Sequence, residues 1–119
     1  MNGIRLGIYG KALIDVDTWP AFFAQVPEVD FTFVDLSIDE SAQRAARLDW
    51  DRGTRRKVRD AAADAGVQIG GLCLSLHRSI MPSSADPAMR ARAAEVYRKG
   101  IRLATDLGVG VVQVAGYYA

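Results

Sequence analysis

The 119 residues contain one cysteine, Cys73, and one histidine, His77. A single thiol rules out an intramolecular disulfide and a cysteine-rich zinc site, and it points to a reducing compartment. A single imidazole is not a metal site, so any histidine-based proton transfer falls to His77 alone. Glutamate is scarce as well, with Glu28, Glu40 and Glu95 making up the whole set. Charge of one sign is missing, since 15 Lys plus Arg against 14 Asp plus Glu give +1. That balance creates no global field for nucleic acid or an acidic membrane, and either partner would need a local patch. The segment Met1 to Leu6 lacks the basic stretch and apolar run of a secretory signal, and no run approaches the ~20 apolar residues of a membrane span. The chain reads as soluble and cytoplasmic, with neither nucleic acid nor membrane as a partner. No low-complexity linker or basic tail interrupts it, so residues 1–119 read as one domain.

What is present is apolar sequence in short periodic blocks, half of all residues being hydrophobic. Ile4 to Tyr9 suits a short strand that ends at Gly10-Lys11. Asp17 or Thr18 caps a helix with Pro20 in its first turn, carrying Trp19, Phe22, Phe23 and Val26 on one face and ended by Pro27. Phe31 to Ile38 reads as a second strand, with Phe31, Phe33 and Asp35 on one face and Thr32, Val34, Leu36 and Ile38 on the other. Asp39 to Trp50 is a long connection with a helical turn or two over Ser41 to Arg47. Asp51 then caps a helix running to Ala65, with Gly66 as its left-handed terminus. Val67 to Ser75 makes a third strand weakened by Gly70-Gly71, and Leu76 to Ala85 a loop. Asp86-Pro87 starts a helix striped by Met89, Ala93, Val96, Tyr97, Ile101, Ala104 and Leu107, with Glu95 and Lys99 in the favoured i, i+4 order. Gly108 ends it, and Gly110 to Gly116 makes a fourth strand.

Strands alternating with helices require a parallel α/β fold with right-handed crossovers. Four strands and three long helices make either a small open doubly wound sheet or somewhat under half of a (β/α)8 barrel of ~250 residues. In both, ligands meet the loops at the carboxyl ends of the strands. Those loops bring together Tyr9-Gly10-Lys11, Ser37 to Glu40, Ser75 to Arg78 and Gly116-Tyr117-Tyr118. Lys11 and Arg78 supply cationic donors for a phosphate, with Ser75 adding a hydrogen bond, or else they are solvated loop charges. His77 is either a site residue or a residue accommodated at a loop start. Asp35 and Asp39 face the same mouth or serve as turn formers. Cys73, mid-strand among apolar neighbours, reads as a small core residue. Gly7-Ile8-Tyr9-Gly10 is not a dinucleotide fingerprint, and no phosphate-binding loop ending in Gly-Lys-Ser/Thr exists, which disfavours a nucleotide cofactor. The helix arginines 52, 55, 56, 59, 90, 92, 98 and 102 have acidic neighbours and read as a solvated face.

Several segments, in order and at similar spacing, carry a resemblance. They are Leu6-Gly7-Ile8-Tyr9, Lys11-Ala12-Leu13, Phe33 to Glu40, Arg47-Leu48-Asp49-Trp50, Cys73-Leu74-Ser75-Leu76-His77-Arg78 and Val112-Gln113-Val114-Ala115-Gly116-Tyr117. Together they resemble the amino-terminal part of L-ribulose-5-phosphate (L-xylulose-5-phosphate) 3-epimerases, also called hexulose-6-phosphate isomerases. The resemblance implies a xylose-isomerase-like TIM (β/α)8 barrel that moves the carbon-3 proton of a ketopentose 5-phosphate. It implies a divalent metal (Mn, Mg or Zn) held by two glutamates, an aspartate and a histidine from later strands, beyond the end of this chain. From this chain alone the expectation is then no metal and no catalytic residue, with Tyr9, Lys11, Ser75, His77 and Arg78 lining the substrate pocket. Self-association, most simply as a homodimer, is expected from an open half-barrel. The alternative is a non-catalytic ligand-binding or interaction module built from the same half-barrel. Gly10 departs from the family, which usually has an acidic residue after the first-strand tyrosine.

Overall fold

The computed structural model describes residues 3–114. Four strands, β1 (Gly7–Tyr9), β2 (Phe33–Ser37), β3 (Gln68–Cys73) and β4 (Val112–Gln113), form one sheet in sequence order with every pairing parallel. The helices are α1 (Trp19–Glu28), the single-turn α2 (Ala42–Ala45), α3 (Arg52–Asp64) and α4 (Pro87–Leu107). Four consecutive parallel neighbours with a helical crossover between each pair form an arc of barrel, with no reversal of strand order of the kind an open doubly wound sheet has.

Local chemistry fixes the helix ends. Thr18 Oγ1 accepts from the Ala21 amide at 3.3 Å, Asp51 Oδ1 from Thr54 at 2.7 Å and Asp86 Oδ1 from Ala88 at 2.9 Å. Each occupies one of the amide donors that a helix start leaves unpaired. Gly66 and Gly108 close α3 and α4 at φ +70 and +72, a region glycine enters without Cβ strain.

The core lies between the outer face of the sheet and the helices. Val34, Leu36 and Ile38 from β2 and its exit, with Ile69, Leu72 and Leu74 from β3 and its exit, meet Phe23 and Val26 of α1, Val58 of α3 and Leu103 and Leu107 of α4. Burying each such side chain contributes roughly 1.5–3 kcal/mol. The inner face works differently. Phe33 lies flat against it, so that a Cβ at Gly7 or Gly70 would meet the Phe33 ring at 2.0 or 2.6 Å. Gly70 also sits at a register shift, because Val34 pairs with Ile69 while Asp35 pairs with Gly71. The glycines that weaken β3 as a sequence signal are the space that Phe33 and Asp35 occupy.

The structure corrects several expectations. Pro27 does not end α1 but lies in its last turn, and the helix runs on to Glu28. The buried stripe of α4 runs through Gly100 and Leu103, while Ile101 is 57% exposed. Gly100 is there because a Cβ would sit 2.9 Å from Leu74 Cδ1. Lys99 pairs with Asp49 at 2.6 Å, and Glu95 with Arg98 at 3.2 Å, in place of the expected pair within α4. β1 and β2 are shorter than the apolar runs that suggested them, and Ser75 falls in a 3₁₀ turn over Ser75–Arg78. Ala115 and Gly116, expected to end the fourth strand, lie outside the described residues, as do Tyr117 and Tyr118.

Candidate functional site

The carboxyl ends of β1 and β2 gather a charged network around one carboxylate. Asp39 leaves β2 two residues after its last paired position, and its side chain is 3% exposed. Lys11 Nζ, from the 3₁₀ turn that follows β1, lies 2.9 Å from Asp39 Oδ2. Arg44 Nε, from α2, lies 2.9 Å from both Asp39 oxygens, and the Ser41 amide donates to Oδ1 at 3.0 Å. The Tyr9 hydroxyl donates to Ser37 Oγ at 3.0 Å, and Ser37 Oγ in turn donates to Asp39 Oδ2 at 3.4 Å. Arg47 Nη1 donates to the Ser37 carbonyl at 3.1 Å while its guanidinium stands over the rings of Trp19 and Trp50.

These contacts set the protonation states. Burial alone would raise the Asp39 carboxyl, yet its hydrogen bonds from Lys11, Arg44 and the Ser41 amide hold it far below the usual carboxylate range. Lys11 is raised in return by its hydrogen bond and charge contact with Asp39. Burial raises the Tyr9 phenol, which keeps it a neutral donor. Burial, reinforced by the charge of Arg44, pushes the Arg47 guanidinium down to about 10, so it remains charged at neutral pH. Beside this network opens a cleft of about 200 Å³ lined by Gly10, Lys11, Asp15, Ser37, Arg44 and Arg47 among others. Three cations facing Asp39 and Asp15 leave the cleft with an excess positive charge, an arrangement suited to an oxyanion.

At the end of β3 the polar residues are packed away instead. Ser75 and His77 are 6% and 1% exposed. His77 Nε2 lies 3.0 Å from the Ala93 carbonyl of α4, so this nitrogen carries the proton, and the ring packs against Tyr97 with centroids 4.3 Å apart. Its Nδ1 is buried without a partner. Arg78 is exposed and lies 3.9 Å from Glu40 Oε1, an ion pair that ties the β3 loop to the β2 loop. Of the five residues expected in the substrate pocket, the structure therefore brings Tyr9 and Lys11 into one network and sets Arg78 at its rim. Ser75 and His77 are buried behind the loop.

Sequence reasoning missed Arg44 and Arg47, whose side chains reach the mouth only because α2 and the following turn fold back over β2. It offered Asp39 as a residue of the mouth or as a turn former, and the carboxylate is both, meeting Lys11 and Arg44 while its Oδ1 accepts from the Ser41 amide two residues on. Cys73, read as a core residue, is half-buried on the inner face, close enough to Tyr9 to influence its hydroxyl. A side chain at Gly10 would approach the Asp35 carbonyl at 3.1 Å and the Phe22 ring at 3.4 Å, so the departure from the family's acidic residue coincides with close packing. Among the described residues no three His, Cys, Asp or Glu side chains converge where a metal ion would bind. No helix among them is long and apolar enough to cross a membrane.

The xylose isomerase-like TIM barrel family matches residues 23–119. The chain belongs to that family. An L-ribulose-5-phosphate 3-epimerase, UlaE, of Salmonella heidelberg (strain SL476) is 42% identical over 114 residues, which are 96% of this chain and 40% of the relative. The provisionally named L-ribulose-5-phosphate 3-epimerase SgbU of Escherichia coli (strain K12) is 43% identical over 117 residues, 98% of this chain and 41% of the relative. The chain thus spans about two fifths of the length of the curated relatives it matches. A D-psicose 3-epimerase from Clostridium cellulolyticum H10, solved with D-tagatose, superposes with a TM-score of 0.73 at 17% identity, over 94% of this chain and 37% of that one. A D-psicose 3-epimerase solved in the presence of D-fructose gives a TM-score of 0.71 at 16% identity, with the same coverage. At that identity the two structures support the fold, and the arc of four strands is shared with both.

Proposed function

We propose that this chain supplies the first four strands of a cytoplasmic sugar-phosphate 3-epimerase that interconverts L-ribulose 5-phosphate and L-xylulose 5-phosphate. Residues 1–119 form one partial barrel domain in this reading. The observation that carries it is the 42% identity to UlaE over nearly the whole chain, together with a cationic cleft at the carboxyl ends of β1 and β2. Lys11 and Arg78 attract the phosphate from opposite sides of the mouth, and the neutral Tyr9 hydroxyl offers a hydrogen bond to the sugar. Ser75 and His77 shape the β3 loop from beneath.

Carbon-3 proton transfer needs a base whose proton affinity suits neutral pH. Asp39 is too weak a base for that task, because Lys11, Arg44 and the Ser41 amide stabilise its charged form. Tyr9 keeps its proton, and Glu40 is exposed and beside Arg78. This part of the barrel binds and orients, and by itself it turns nothing over. The divalent metal that the resemblance implies, Mn²⁺, Mg²⁺ or Zn²⁺, would supply Lewis-acid chemistry where the whole barrel binds it. The described residues offer no set of ligands for it.

The test joins this chain to the remainder of the Salmonella relative in place of the matching segment. The chimera is expected to convert L-ribulose 5-phosphate to L-xylulose 5-phosphate with added Mn²⁺ or Mg²⁺, while the chain alone stays silent. A folded chimera that neither binds nor converts the sugar phosphate overturns the proposal. Self-association belongs to the same reading. Ile4 and Leu6 beside β1, and Val111 and Val114 beside β4, are 44–59% exposed at the two edges of the sheet, where another chain can cover them.

A further inference from the structure

The segment Arg47-Leu48-Asp49-Trp50 carries part of the family resemblance, yet none of its side chains was expected at the ligand. The pairing of β1 with β2 stops at Tyr9 opposite Asp35, and β1 then turns away at Gly10. The end of β2 at Ser37 therefore runs on without β1 backbone beside it, and a strand carbonyl there needs another donor. Arg47 Nη1 supplies one at 3.1 Å. Its guanidinium is held in place by the Trp19 and Trp50 rings, at 5.3 and 6.0 Å to their centroids, and those two indoles meet edge to face at 5.5 Å. Between Arg47 and Trp50, Leu48 is buried and Asp49 binds Lys99 of α4 at 2.6 Å. The segment is anchored on α1 and α4, and it points one planar donor at the residue whose hydroxyl links Tyr9 to Asp39.

We propose that Arg47 is a positioning residue for the mouth, fixing the exit of β2 so that Ser37 and Asp39 meet Tyr9 and Lys11 across the gap from β1. The role in catalysis rests on the epimerase reading above, but the positioning itself needs no ligand to be observed. Lysine keeps a charge over the indoles and can still reach a carbonyl, but it lacks the planar, multi-donor head that does both at once, and glutamine brings no charge. Asp39 and Arg44 share a segment and move together if Ser37 is released. Lys11 stands on another element and loses its counter-ion.

The measurement is the titration of the Lys11 ammonium by NMR in the full chain, for the wild type, Arg47→Gln and Arg47→Lys. The groups facing Lys11 are Asp39, Tyr9 and Arg44. Positioning predicts that Lys11 titrates lower in Arg47→Gln, toward an ordinary exposed lysine, with Arg47→Lys between it and the wild type. Loss of a nearby cation alone acts in the opposite direction, because it eases protonation of Lys11. A structural role alone lowers the melting temperature and leaves the Lys11 titration where it was. An unchanged or raised Lys11 titration in the variants therefore overturns the inference. If Arg47→Gln does not fold, Arg47→Lys decides by the same sign.

Discussion

Two stretches of the same mouth, the ends of β1 and β2 on one side and the end of β3 on the other, solve the problem of buried polarity in opposite ways. At β1 and β2 the buried group is a charge, Asp39, and it is held by side chains from three elements. At β3 the buried group is an imidazole that leans on one backbone carbonyl and one aromatic ring. A charge in the interior costs several kcal/mol unless it is paired and hydrogen-bonded, which explains why the first region recruits two cations and leaves a polar cleft beside them. The His77 ring is packed like a core residue, 1% exposed, and the second region closes over it. In the proposed function the binding chemistry belongs to the first region for that reason, and the second serves as its wall.

The largest expected effect separates the two. Asp39→Ala leaves Lys11 and Arg44 facing each other without their counter-ion and should lower stability by about 2–4 kcal/mol, measured by urea unfolding. The same carboxylate predicts a pH dependence. Its folded value lies below its unfolded one, so its contribution is complete above the ordinary carboxylate range and is lost as pH falls below it. Unfolding curves of the wild type should weaken from pH 6 to pH 3 more steeply than those of Asp39→Asn. His77→Ala opens a cavity against Tyr97 and removes the second hydrogen bond to the Ala93 carbonyl, for a loss of about 2–3 kcal/mol, with the NMR shifts of Gly10 and Lys11 unmoved. Movement of those shifts would mean that the two regions are one coupled unit.

Smaller effects sharpen the contrast. Gly100→Ala pushes a methyl group into Leu74 and should cost about 1–2 kcal/mol without touching the mouth. The 3.9 Å pair between Arg78 and Glu40 joins side chains that are 61% and 42% exposed, so Glu40→Gln, which removes that pair, should change stability by less than about 0.5 kcal/mol.

Much of the fold is legible in the sequence because its signals are local. Thr18, Asp51 and Asp86-Pro87 start helices through their own side chains and ring, and Gly66 and Gly108 stop them through their own backbone freedom. The misreadings share one cause, which is a partner far away in sequence. Lys99 prefers Asp49, 50 residues distant, to Glu95 one turn away. Gly100 and Leu103 displace Ile101 from the buried stripe because Leu74 of the neighbouring strand needs the space. Gly70 looks like a break in β3 until Phe33 is laid across it. The mouth follows the same rule. Tyr9 and Lys11 adjoin a strand end and were found from that position, whereas Arg44 and Arg47 reach it from a connection whose path no periodicity encodes. His77 stands at a strand exit, yet α4 draws it inward.

The account turns on where a sugar phosphate meets this chain, and an amide NMR titration with L-ribulose 5-phosphate tests that most directly. The account predicts saturable shifts at Gly10, Lys11, Ser37 and the α2 turn, with smaller ones at Arg78 and none along the outer faces of α3 and α4. Shifts confined to the helix arginines, or a spectrum unchanged at millimolar ligand, would contradict it.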